Sequence, residues 1–130
     1  RLLMENKTLS SLLLEANDNV PRLSHGEALE LLKSDNTVLI DVREESEVSS
    51  LGIIQNAIHI PRGLIEFKIE YDSSTNPSNI RNDSNILFYC AGGYRSALAA
   101  NTVKSLGFQN VYNIGGFSEW INNGGEIQPI

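Results

Sequence analysis

Cysteine is almost absent from this 130-residue sequence, which contains Cys90 alone. A single cysteine excludes a disulfide within the chain and a metal cluster built from cysteines. The two histidines and the lack of clustered carboxylates at ligand spacing give no reason to expect a metal either. We therefore expect no metal and no cofactor. A free thiol also suits a reducing compartment, and we expect a cytoplasmic protein.

Positive charge and long apolar runs are also scarce. Lysine and arginine number 10 against 16 aspartates and glutamates, which gives a formal net charge of −6. Nucleic acids and anionic membranes bind basic surfaces, so neither is an expected partner. Apolar runs such as Leu12–Leu14 fall far short of the roughly 20 residues that span a bilayer. The composition therefore predicts a soluble protein.

Alternating helix and strand patterns predict an α/β fold. A chain of this length fits one domain, and Ser24 with Glu27 forms a capping box that marks a helix start. Short connections between the elements favour a central, mostly parallel five-stranded sheet with helices on both faces. Strands are predicted at 20–23, 37–40, 57–60, 86–89 and 110–113; helices at 1–18, 25–33, 44–50, 64–71, 95–106 and around Trp120; and the longest loop at 72–85.

Two chemically useful residues follow predicted strands. Asp41 comes directly after one apolar strand and Cys90 ends another. In open parallel sheets, ligands bind beyond the carboxyl ends of the strands. Both residues are therefore expected at the edge of the sheet where a ligand would bind.

The segment that we call the cysteine loop, Cys90–Ser96, has the composition of an anion cradle. Gly92 and Gly93 allow a tight turn in which successive backbone N–H groups point at one spot. A helix starting at Arg95 adds the positive end of its dipole, the arginine adds a charge, and the Ser96 hydroxyl can donate a hydrogen bond. Such surroundings lower a cysteine pKa from about 8.5 to roughly 3.5–7.5. Most free cysteines are inert small apolar residues, but this combination favours a reactive thiolate.

The cysteine loop resembles the active-site loop of the rhodanese family, in which four residues separate a cysteine from an arginine. Further segments resemble the family in order and spacing, over about residues 20–125. They are Asp41-Val42-Arg43-Glu44, Ala57-Ile58-His59-Ile60-Pro61 and Gly115-Gly116-Phe117-Ser118-Glu119-Trp120. The leucines among the polar residues of 1–18 predict an N-terminal helical extension whose leucine stripe packs on the core of the domain. The resemblance implies a rhodanese-like domain at 19–130.

The resemblance also implies a sulfurtransferase. Cys90 would take a sulfane sulfur from an anionic donor such as thiosulfate and hold it as a persulfide. Cyanide, a small thiol or a protein cysteine would then accept the sulfur. The residues expected to bind substrate or form the cradle are Ala91, Gly92, Gly93, Tyr94, Arg95 and Ser96.

Three residues outside the loop are candidates for supporting roles. Asp41 and Arg43 could pair with each other, or with Arg95 and Glu44, beneath the loop; a structural ion pair is the favoured interpretation. Arg62 could attract an anionic donor at the rim, although most such arginines are solvated.

Two other functions remain open at this point. A cysteine phosphatase or arsenate reductase also uses a thiolate in a cradle ending at arginine, but with five intervening residues rather than four. A non-catalytic rhodanese-like module is the third hypothesis. The loss of the cysteine would be its signature, and Cys90 is present.

Overall fold

The computed structural model describes residues 6–70, 74–76 and 80–130. The helices are α1 (Leu9–Asn19), α2 (His25–Leu32), α3 (Glu45–Leu51), α4 (Ile65–Lys68), α5 (Tyr94–Ser105) and α6 (Phe117–Asn122), with a 3₁₀ turn at Arg62–Leu64. The strands are β1 (Thr37–Asp41), β2 (Ile53–Ile54), β3 (Ile58–His59), β4 (Asn85–Cys90), β5 (Asn110–Gly116) and β6 (Ile127–Gln128). The predicted helix 1–18, helix 64–71 and loop 72–85 each lie partly outside the described residues.

The central sheet is parallel, in the order β3-β1-β4-β5. The predicted α/β fold is thus confirmed. The expected fifth strand at 20–23 is reduced to an isolated parallel bridge between Arg22 and Asn113. Pro21 has no amide hydrogen to donate to a ladder, which limits pairing in this segment. A small antiparallel pair, β2 with β6, was not predicted.

Both faces of the sheet are covered by helices, which explains why β4 is buried from Ile86 to Cys90. Ile86, Phe88 and Cys90 of β4 belong to one core cluster, which includes residues of α4 and α5. Leu87 and Tyr89 belong to the other, which includes residues of α2, α3 and α6. Successive side chains of a strand point to opposite faces. Cys90 is therefore placed on the α5 side of the sheet.

Helix α1 packs differently from the sequence prediction. Its leucines suggested a core stripe, but Leu9 and Leu14 are 63% and 66% exposed. The buried residue of this helix is Ala16. Contact with α5 is made near the end of α1, where Asn19 bonds to Asn101 and to Lys104. The small side chain of Ala16 allows close approach, and Leu9, Leu12 and Leu14 remain exposed.

A buried ion pair fixes the end of β1. Arg43 is bonded to both carboxylate oxygens of Asp41, with Nη2 2.7 Å from Oδ2. It also donates to the Gly52 carbonyl at 2.6 Å and lies over the Phe117 ring at 4.0 Å. Both side chains are at most 1% exposed. Asp41 and Arg43 thus form the structural pair that the sequence favoured.

We expect Asp41→Ala to destabilise the protein by about 3–5 kcal/mol, because it leaves the Arg43 charge buried without its carboxylate. Urea denaturation would measure the change. Glu30→Ala, which breaks the exposed pair with Lys33, is the control and should cost no more than about 0.5 kcal/mol. If both variants lost similar amounts of unfolding free energy, the buried pair would not have the stabilising role assigned to it.

Candidate active site

Backbone amides of the cysteine loop converge on the sulfur of Cys90. The Gly93 N–H donates to Sγ at 3.0 Å and the Ser96 N–H donates to it at 3.4 Å. The Ser96 hydroxyl lies 3.4 Å from the same atom. An ionised sulfur at this position would be surrounded by hydrogen-bond donors, as the sequence predicted.

The loop takes this shape because β4 ends at Cys90 and α5 begins four residues later. Gly93 precedes the helix with φ +95°, in the left-handed region that favours glycine. The first amides of α5 have no partners within the helix and are free to bind the sulfur. The sulfur therefore lies at the positive end of the α5 dipole.

These contacts outweigh the effect of burial on the thiol. Burial by itself would raise the pKa of Cys90, since it disfavours the charged form. Hydrogen bonds from the Ser96 hydroxyl and from the amides of Ser96, Gly93 and Gly92 act in the opposite direction, and they hold the pKa below its ordinary value. The site thus favours a thiolate.

The cysteine loop encloses its own sulfur. Cys90 is 1% exposed, while Ala91 and Gly92 lie on the outside of the loop. The Tyr94 side chain is 68% exposed, and its ring lies beside Gly92. A donor or acceptor would therefore meet the outer surface of the loop first.

Arg95 is not a free cation. Its guanidinium makes two hydrogen bonds to Glu47 of α3, at 2.7 and 3.0 Å. These bonds lower the pKa of Glu47 to about 2 and raise that of Arg95. The sequence placed the arginine at the loop but did not identify this partner, 48 residues away. The pair ties α3 to the cysteine loop and balances the charge that the arginine brings.

Arg62 does not contact the cysteine loop among the described residues. It pairs with Glu66 at 3.0 Å and donates to the Thr102 hydroxyl at 3.2 Å. Thr102 is eight residues after the start of α5, about 12 Å along the helix. The structure therefore ties Arg62 to the far half of α5 rather than to the sulfur.

Two residues of β5, Asn113 and Gly116, support the cysteine loop from the neighbouring strand. The sequence did not link either of them to the site. Asn113 is buried and bonds to both Gly93 and Ser96. Gly116 pairs with Cys90 in the sheet, and a side chain at Gly116 would collide with the Ala91 carbonyl oxygen. The sequence indicates that the ends of β4 and β5 meet at the same edge of the sheet. It does not give the register between the two strands, which places Gly116 beside Cys90.

Within the part of the chain that the structure describes, no group of three His, Cys, Asp or Glu side chains is placed to hold a metal ion. None of the helices in residues 6–70, 74–76 and 80–130 is long and apolar enough to span a membrane.

The fold and the site define an α/β protein in which loop amides hold a cysteine thiol at a strand–helix junction. Comparison with known proteins identifies the family. Residues 24–123 match the model of the rhodanese-like domain. The chain belongs to the rhodanese-like family.

Individual relatives differ in length and description. The chain is 35% identical over 95 residues to tRNA uridine(34) hydroxylase of Prochlorococcus marinus (strain MIT 9215), a match that covers 71% of this chain and 30% of that protein. This chain thus corresponds to less than a third of the hydroxylase.

Two solved structures match over more than nine-tenths of the chain. A protein of unknown function from Rhodopseudomonas palustris CGA009, described as a possible tyrosine phosphatase, has a TM-score of 0.84 and 34% identity, covering 98% of this chain and 99% of that one. The polysulfide-sulfur transferase homodimer of Wolinella succinogenes has a TM-score of 0.75 and 26% identity, covering 93% and 87%. The shared fold and the similarity to a polysulfide-sulfur transferase both agree with the family assignment.

We expect acid to weaken the wild-type protein through Glu47. Its pKa is lowered on folding, from 4.5 to about 2, so its contribution to stability is present above pH 4.5 and is lost as the pH falls towards 2. Glu47→Gln should reduce that loss by about 1–2 kcal/mol, allowing for the partial exposure of the pair. Urea denaturation across this pH range measures it. Gly26→Ala, at an open position of α2, removes no titratable group and is the control that should keep the wild-type pH dependence. An unchanged profile in Glu47→Gln would contradict the prediction.

We expect Gly116→Ala to displace the cysteine loop, because the added methyl group collides with the Ala91 carbonyl. The protein should lose about 1–3 kcal/mol of stability, and the Cys90 pKa should rise as the amides move away. Denaturation and a thiolate titration by ultraviolet absorbance would measure these effects. Gly26→Ala, in an open position of α2, should leave the thiol unaffected.

Proposed function

We propose that this protein is a sulfurtransferase that moves a sulfane sulfur from a donor such as thiosulfate, through a persulfide on Cys90, to a thiophilic acceptor. The supporting observation is the convergence of the Gly93 and Ser96 amides on Sγ. They stabilise negative charge on sulfur at a fixed position, as an oxyanion hole stabilises charge on oxygen.

The proposed first step is a displacement at sulfur. The Cys90 thiolate attacks the outer sulfur of thiosulfate, the sulfur–sulfur bond of the donor breaks, and sulfite leaves with its electron pair. The product is a persulfide anion whose terminal sulfur carries the charge. Loop amides can bind this anion as they bind the thiolate.

In the second step, cyanide, a small thiol or a protein cysteine attacks the terminal sulfur, and Cys90 leaves as a thiolate. No general base is needed to form the nucleophile, because the loop already lowers the Cys90 pKa. Neither step needs a cofactor or a metal. The proposed partners are therefore an anionic sulfur donor and a thiol or protein acceptor, in a reducing compartment such as the cytoplasm.

The relatives support this proposal over its rivals. Polysulfide-sulfur transferase has the same fold over most of this chain. The possible tyrosine phosphatase raises the alternative of phosphate chemistry, but here Arg95 is bonded to Glu47 through both of its terminal nitrogens. A phosphatase needs that guanidinium for the oxygens of its substrate. A non-catalytic module remains an outcome of the test.

The test supplies the purified protein with thiosulfate and cyanide and measures thiocyanate. We expect turnover by the wild-type protein and none by Cys90→Ser, because the nucleophile is lost. Intact mass after thiosulfate alone should show a gain of one sulfur that a reductant removes. Since Cys90 is the sole cysteine, this adduct has one site.

Lys33→Ala, on the exposed surface of the C-terminal end of α2, is the control and should match the wild type. Absence of both thiocyanate and the sulfur adduct with every donor tried would favour the non-catalytic module. Release of phosphate from an aryl phosphate at a comparable rate would favour the phosphatase.

A further inference from the structure

Asn113 of β5 is a buried amide whose orientation is fixed by its neighbours. It is 4% exposed. Its Nδ2 donates to the Gly93 carbonyl at 3.1 Å, and its Oδ1 accepts from the Gly115 N–H at 3.0 Å. A carbonyl can only accept and a backbone N–H can only donate, so the side chain cannot be reversed without breaking both bonds. Oδ1 therefore faces Ser96.

The Ser96 hydroxyl lies between two acceptors. Its Oγ is 2.8 Å from Asn113 Oδ1 and 3.4 Å from Cys90 Sγ. Since an amide oxygen has no proton, Ser96 must be the donor in the shorter contact. A serine has one hydroxyl proton. While that proton points at Asn113, the contact with sulfur is made by the neutral thiol donating to Oγ.

Ionisation of Cys90 changes this arrangement. The thiolate has no proton and needs donors, so the Ser96 hydroxyl, unlike the Ser96 amide, stabilises it only by turning away from Asn113. Asn113 Oδ1 then still keeps its bond from Gly115. The turn therefore exchanges one hydrogen bond for another and leaves no buried group without a partner.

We propose that Asn113 is a positioning residue that competes with the Cys90 sulfur for the hydroxyl proton of Ser96, and thereby sets the fraction of Cys90 that is ionised. Its effect is opposite to that of the loop amides: Asn113 favours the thiol, whereas the amides favour the thiolate. This role is independent of which donor or acceptor the protein uses.

We expect the charged groups near the loop to keep their partners when Asn113 is changed, because among the described residues the Asn113 side chain bonds only to Gly93, Ser96 and Gly115. None of them is bonded to Asn113 or to the Ser96 hydroxyl in the described residues. They are Arg95 with Glu47 and nearby Glu44, Arg43 with Asp41, and Arg22 with Glu119. The pair of Arg62 with Glu66 lies farther away, beside the far half of α5.

The test titrates the thiolate by its ultraviolet absorbance, with Cys90→Ala as the blank. We expect Asn113→Leu, which has no acceptor, to lower the Cys90 pKa by about 0.5–1 unit, as expected for the loss of one competing hydrogen bond. Asn113→Ala should shift it in the same direction, and its smaller side chain leaves room for water at the Gly93 carbonyl and the Gly115 amide. Asn110→Leu, on the same strand, is the control and should leave the pKa unchanged.

A double-mutant cycle separates competition from a general loosening of the loop. Ser96→Ala should raise the Cys90 pKa, and in that background Asn113→Leu should no longer lower it, because there is no hydroxyl to release. An unchanged or raised pKa in the Asn113 variants, or an equal shift with and without Ser96, would overturn the proposal.

The wild-type protein supplies a second measurement that does not depend on the folding of any Asn113 variant. Nuclear magnetic resonance should show the Asn113 carboxamide signals titrating with the Cys90 midpoint, as Oδ1 loses its bond from Ser96. The same titration should be much reduced in Ser96→Ala, which keeps the thiolate charge. Constant signals in the wild type, or equal titration in both proteins, would also overturn the proposal.

Discussion

Backbone hydrogen bonds from Gly93 and Ser96 to the sulfur of Cys90 are the contacts on which the rest of the site depends. They are made by amides at the start of a helix, where no partners exist within the helix itself. A buried thiol in an apolar core would resist ionisation. Here the same burial removes competing water, so a few amides suffice to favour the anion. Hydrogen bonds from the Ser96 hydroxyl and from the loop amides thus favour the anion, rather than a nearby charged side chain.

Neighbouring elements keep those amides in position without adding net charge. Gly116 lets β5 approach the back of the loop, and Asn113 bonds to the Gly93 carbonyl. Arg95 brings a positive charge to the loop, and Glu47 balances it from α3. The buried pair of Asp41 and Arg43 fixes the adjacent strand end in a similar way. Arg95 and Arg43 are each paired with a carboxylate, so the hydrogen-bond geometry of the loop decides how the sulfur is held.

Local parts of this arrangement could be predicted from the sequence, and the long-range parts could not. Gly93 and Ser96 lie within six residues of Cys90, so strand–turn–helix geometry alone places their amides near the sulfur. Glu47 and Asn113 reach the loop from other elements, and their contacts depend on how α3 and β5 pack. The fold class followed from the alternation of helices and strands. The edge segment at 20–23 was overestimated as a strand because pairing there is limited by Pro21.

The alternation of side chains along β4 places a constraint on changes in its length. Ile86, Phe88 and Cys90 point to one layer of helices, and Leu87 and Tyr89 point to the other. Insertion or deletion of one residue within the strand would reverse this alternation and direct the side chain at the Cys90 position towards Trp120 rather than α5. A change of two residues would restore the direction but shift the sulfur along the sheet, away from Gly116. Variation in the length of related chains should therefore be accommodated outside this strand.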